Sequence, residues 1–144
     1  MASRKSQARQ CAIQAIYQWQ MTGQDPGDIR EVQAQFLSDQ ERGGFDGSYF
    51  SVLLQGVATH LDMLDQQLRP CLDRSIESVD PVERAILRLG AFELIHRLEV
   101  PYRVVINEAV ELAKVFGAEQ GHRYVNGVLD KLAKQVRTTE LQAK

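Results

Sequence analysis

The stretch Phe50-Ser-Val-Leu-Leu-Gln-Gly-Val-Ala-Thr-His-Leu-Asp-Met-Leu-Asp-Gln-Gln-Leu68 sets the fold class. Its residues Phe50, Leu54, Val57, Leu61, Leu64 and Leu68 follow one another at intervals of 4, 3, 4, 3 and 4. That spacing lines them along one side of an α-helix, whereas a half-buried strand would alternate at every second position. The seam predicts a long core helix over about 47–68. Gly43-Gly44 and Asp46-Gly47 break the chain ahead of it.

The same period continues outward in both directions. Upstream, Ala8, Ala12, Ala15, Ile16 and Trp19 form one stripe of a helix over about 4–21, which Thr22-Gly23 and Pro26-Gly27 close. A short helix over about 28–39 carries Ile29, Val32 and Phe36 inward. Downstream, Asp80-Pro81-Val82-Glu83 is a helix start: Asp80 can accept from exposed backbone amides, Pro81 suits the first helical position, and Glu83 stands three residues past the cap. The helix it opens points Ala85, Ile86, Leu89, Phe92 and Leu94 to the core and ends before Val100-Pro101. Another, about 102–116, carries Val105, Ala109, Leu112 and Phe116, with Gly117 placed for a left-handed C-terminal residue. The last, to about Arg137, turns Val125, Val128, Leu129 and Leu132 inward. No alternating strands flank Asn126-Gly127, so the pair reads as helix with Gly127 at a tight contact. The tail from Thr138 to Lys144 reads as frayed.

The 144 residues suit one domain, and 44% hydrophobic with 25% charged residues is the balance of a chain that buries a core. No apolar run approaches the roughly 20 residues of a membrane span, and Met-Ala-Ser-Arg-Lys lacks the apolar stretch of a secretory signal. A cytoplasmic protein with no membrane segment is expected. Cys11 and Cys71 lie far apart without CxxC spacing, which points to reduced thiols rather than a disulfide framework or a zinc site.

The net charge of −2 conceals an uneven distribution. Residues 1–24 hold Arg4, Lys5, Arg9 and no acid, whereas residues 25–80 hold eleven acids against four bases. A small basic edge thus precedes an acidic body, a pattern open to anion binding, although three cations at a helix start are also ordinary solvated residues. His60, His96 and His122 are scattered, and neither Glu108 with Glu111 nor Asp62 with Asp65 is followed at three-residue spacing by a histidine that would build a metal site. Those carboxylates read as solvated surface. Nucleotide-binding and hydrolase motifs are absent from the sequence, so no catalytic, cofactor or metal site is expected.

Two segments carry a family resemblance. Arg9-Gln-Cys-Ala-Ile-Gln-Ala-Ile-Tyr-Gln-Trp-Gln, and Val100-Pro-Tyr-Arg-Val-Val-Ile-Asn-Glu-Ala-Val-Glu-Leu-Ala-Lys-Val-Phe-Gly through Tyr124-Val-Asn-Gly-Val-Leu-Asp-Lys-Leu, resemble the NusB family of bacterial transcription antitermination factors. Tyr49-Phe50, Leu53-Leu54-Gln-Gly-Val and Val82-Glu83-Arg84-Ala-Ile-Leu-Arg are similar to that family too. The resemblance implies an all-α single domain of about seven helices in two small packed bundles, here about 1–75 and 76–138. It also implies a noncatalytic adaptor that pairs with the ribosomal protein NusE and binds single-stranded boxA RNA. With other Nus factors it would keep RNA polymerase elongating, notably on ribosomal RNA operons. Two rivals stand beside it: an RNA-recognition domain like that at the front of RNA cytosine methyltransferases, here without a Gly-rich cofactor region, and a homodimeric helical protein.

Single-stranded RNA is held by cations on its phosphates and rings under its bases. The resemblance assigns the first task to Arg4, Lys5 and Arg9. It assigns Phe116, Gln120 and Tyr124, around the loop 117–123, to further RNA contact. Periodicity alone favours Phe116 as core, while the hydroxyl of Tyr124 suits a partly wet position. That loop precedes a helix N-terminus whose free amides could receive a phosphate, and His122 and Arg123 could add to the edge. Tyr17 and Glu83 match positions near the NusE-facing surface, though capping alone also accounts for Glu83.

Overall fold

The computed structural model describes residues 3–38, 45–117 and 120–142, and among them every regular element is helical. Contacts divide the chain into two compact units, Met1–His60 and Leu61–Lys144. No helix among the described residues is long and apolar enough to cross a membrane.

Among the described residues, the first unit packs three α-helices together: α1 (Arg4–Met21), α2 (Ile29–Ser38) and α3 (Gly47–Thr59). Side-chain caps start two of them. Ser3 Oγ accepts from the Ser6 amide at 3.0 Å, and Asp46 Oδ1 from the Tyr49 amide at 3.0 Å. The predicted α1 stripe of Ala8, Ala12, Ala15, Ile16 and Trp19 is wholly buried. Trp19 satisfies its one polar atom by donating Nε1–H to Asp25 O at 2.7 Å. Phe50 packs between Phe36, with ring centroids 5.9 Å apart, and the edge of Phe45 at 5.5 Å.

The second unit holds α4 (Leu61–Leu68), α5 (Pro81–His96), α6 (Tyr102–Phe116), α7 (Gly121–Val136) and α8 (Thr138–Gln142). Every residue of α5 from Ala85 to Leu94 is buried, because α4, α6 and α7 all pack on it. Gly90 lets α7 approach closely: a Cβ there would sit 2.8 Å from Leu129 Cδ1. Asp80 caps α5 as expected, accepting from the Val82 and Glu83 amides at 3.1 and 3.2 Å.

Several expectations are corrected. The seam from Phe50 to Leu68 is two helices, not one. His60, at φ −107° and ψ 20°, ends α3, and its ring Nδ1 meets the Gly56 carbonyl at 2.9 Å. Phe50, Leu54 and Val57 are buried in the first unit, Leu64 and Leu68 in the second, and Leu61 is half-buried. Residues 61–75, assigned to the first bundle by the sequence, therefore lie in the second unit, where α4 packs on α5. Asp65 is no surface carboxylate: it forms a buried pair with Arg88, at 2.9 Å to Nε and 2.8 Å to Nη2. Gly117 is extended, at φ −91° and ψ −179°, and is required for space, since a Cβ would meet Ala113 O at 2.7 Å. Gly127 is open, with nothing near a Cβ.

The tail is also anchored as far as Gln142. Buried Arg137 donates to the carbonyls of Leu94, Glu93 and Arg97, at 2.7, 3.2 and 3.2 Å, closing the C-terminal end of α5. It also pairs with Glu140, whose other oxygen accepts from the Tyr102 amide at 3.0 Å. Glu140 thus caps α6, which has only Pro101 at its own N-cap.

Candidate nucleic-acid interface

The N-terminal cations of the first unit differ in exposure. Arg4 and Lys5, in the first turn of α1, are exposed. Arg4 donates Nη2–H to Phe45 O at 3.0 Å, which orients it without covering it. Lys5 holds Nζ 5.1 Å from the Tyr49 ring centroid. Arg9 instead is 4% exposed, with its guanidinium carbon 5.4 Å from the centroid of the same buried ring. The expectation that Arg9 offers a free charge to RNA does not match this placement. Its register explains why: Arg9 precedes Ile13, Ile16 and Gln20 at helical intervals of 4, 3 and 4, and all three are buried. The side chain can lie along an apolar surface with its stem covered.

Tyr17 is 38% exposed, and Met21, one turn on, is 57% exposed. Together they leave an apolar patch on the outer side of α1, beside the Gln18–Gln35 hydrogen bond at 3.2 Å. This is the amphipathic surface expected of a residue that packs against a partner.

In the second unit, Phe116 at the end of α6 and Tyr124 in the first turn of α7 are both half-buried, and Gln120, the N-cap of α7, is exposed. Residues 118 and 119 lie outside the described residues. Arg123 is exposed and His122 half-buried. The Tyr124 hydroxyl is covered and has no well-formed hydrogen bond, though it lies beside Asp73. Burial, with the Asp73 carboxylate adding to it, pushes the phenol above its ordinary pKa.

Glu83 does not stand at an open surface. It is 7% exposed, and its Oε2 sits 2.5 Å from where a Cβ would stand on Gly121. Only glycine leaves room for this carboxylate against the first turn of α7. The Glu83 side chain thus fills the space beside the first turn of α7 from within the protein. Burial, with Asp80 second, raises the Glu83 carboxyl above its usual value, and Arg74 opposes them.

The sequence reading missed Asp73 and Arg74. The Arg74 guanidinium carbon lies 4.6 Å from the Tyr124 ring centroid. Asp73 accepts from Arg74 Nε at 2.7 Å and Nη2 at 3.2 Å. Fifty positions separate Arg74 from Tyr124, so no local pattern signals the contact.

The NusB family model matches residues 6–134. The chain is 53% identical over 142 residues to the transcription antitermination protein NusB of Pseudomonas savastanoi pv. phaseolicola, covering 99% of this chain and 84% of that one. It is 55% identical over 144 residues to the protein of that name from Nitrosococcus oceani, covering all of this chain and 95% of the relative. Among solved structures, T. maritima NusB is similar with a TM-score of 0.80 and 25% identity, covering 99% of each chain. A chain from the crystal structure of antitermination factors NusB and NusE in complex with dsRNA gives 0.78 at 29% identity, covering 94% of this chain and 99% of that one.

Proposed function

The chain belongs to the NusB family, and from that membership we propose a noncatalytic transcription antitermination factor that pairs with NusE and binds boxA RNA in nascent transcripts. The observation that carries this reading is similarity across the whole chain to antitermination proteins, including a structural neighbour solved with NusE and RNA. With other Nus factors, the pair keeps RNA polymerase elongating, notably on ribosomal RNA operons.

Arg4 and Lys5 supply the phosphate contacts, because they keep their charges in water at the start of α1. Gln120 and Phe116 form the second RNA contact, and Tyr124 supports it from the first turn of α7. Tyr17, extended by Met21, meets NusE through a half-covered ring. Arg9 and Glu83 act beneath these surfaces, holding Tyr49 and the first turn of α7 in place. Neither RNA nor NusE need bind tightly alone, since engaging one raises the effective concentration of the other.

The test is titration of boxA RNA into the protein with and without NusE. NusE is expected to bind and to strengthen RNA binding; a protein that binds neither NusE nor RNA would sink the adaptor reading. Tyr17→Asp is expected to weaken NusE binding while leaving the thermal unfolding transition in place, because the ring is already part-exposed.

A further inference from the structure

We propose that Arg74 is a stacking platform for an unpaired RNA base, with Tyr124 as the positioning residue behind it; the proposal rests on the RNA-binding reading above. Tyr124 does not offer a bare ring, since the Arg74 guanidinium already covers one side of it at 4.6 Å. Asp73 takes Nε and Nη2 and so fixes the rotation of the guanidinium. Nη1 makes no hydrogen bond among the described residues, and the Arg74 side chain remains 47% exposed. One side of the planar cation is backed by an aromatic ring, one edge is held by a carboxylate, and about half of the side chain is open to solvent. Arginine planes of this kind stack on unpaired bases.

Charge decides between a base and a phosphate as the ligand. Asp73 is bound directly to Arg74, and Glu83 is close enough to act on it electrostatically. A phosphate drawn to Arg74 would meet the repulsion of both carboxylates, whereas a neutral base would not. The first unit differs, because Arg4 and Lys5 stand in a segment of the sequence without acids.

The experiment titrates boxA RNA oligonucleotides, intact and with single bases removed one position at a time, into the full chain in the presence of NusE. Arg74→Lys keeps the charge and loses the plane; it is expected to weaken binding about tenfold, within the range of one base stack. At one RNA position, base removal should weaken the wild type by a similar factor and the variant no further. Tyr124→Phe should retain binding, while Tyr124→Leu should behave like Arg74→Lys. Arg74→Gln should leave the salt dependence unchanged; a loss of about 0.7 in slope would instead mark a phosphate contact and overturn the proposal. Full affinity in Arg74→Lys, or equal loss at every abasic position, would overturn it as well. Wild-type protein that binds no RNA with NusE present would remove the RNA reading itself, which is a separate result from these.

Discussion

Arg9 holds its guanidinium carbon 5.4 Å from the Tyr49 centroid, and Arg74 holds its own 4.6 Å from that of Tyr124. The contact is the same, but the surroundings are not. Arg9 is 4% exposed on a ring that is itself buried, in a basic stretch of helix. The Arg74 side chain is 47% exposed on a half-buried ring, and a neighbouring aspartate offsets its charge. A buried arginine is committed to the fold, because moving it would expose its packing surface and break its polar contacts. An exposed, braced arginine keeps a face for a ligand.

The strongest test of this contrast uses the most deeply committed arginine. Asp65→Ala strands Arg88 as an unpaired buried charge and is expected to cost about 3–5 kcal/mol in urea unfolding; a loss below about 1 kcal/mol would mean the pair is hydrated. Arg9→Ala comes next. It should cost about 1–3 kcal/mol through lost packing and contacts, while Arg74→Ala stays within about 0.5 kcal/mol. Equal stability of the two variants would break the comparison.

Lys5→Ala should leave stability almost unchanged and lower the salt slope of RNA binding by roughly 0.7, the contribution of one phosphate contact to a single strand. An unaltered slope would remove Lys5 from the RNA surface. The smallest effect belongs to Glu83. Its folded carboxyl is raised from the ordinary value of 4.5, so the folded state holds the proton more tightly than the unfolded chain does. Stability contributed by the protonated form is full below that ordinary value and is lost as pH rises through the raised one. Glu83→Gln should flatten this dependence, so that thermal melts of the variant and the wild type diverge as pH increases. Parallel melting curves across that window would show the carboxyl to be normally solvated.

Much of the fold was legible because helices announce themselves locally. The α1 stripe, the Asp80 cap and the inward residues of α7 all stand where the 3.6-residue period puts them. The candidate site was legible in part. Arg4, Lys5, Gln120 and Tyr17 are exposed, as surface-contacting residues must be. The register of Arg9 with Ile13 and Ile16 signals burial, whereas its residue type signals solvent. Glu83 reads as a helix-start residue, yet its contact with Gly121, across 38 positions, has no sequence signal.

By itself, the sequence determined the helical class, the caps and the apolar stripes, since each depends on residues within one or two turns. The tertiary structure decided which polar residues the stripes would take in with them. It split the seam at His60, buried Arg9, Arg88 and Arg137, tied the tail to α6 through Glu140, and set Arg74 on Tyr124. The physical reason is that periodicity specifies a face of a helix, whereas burial and pairing depend on what is packed against that face.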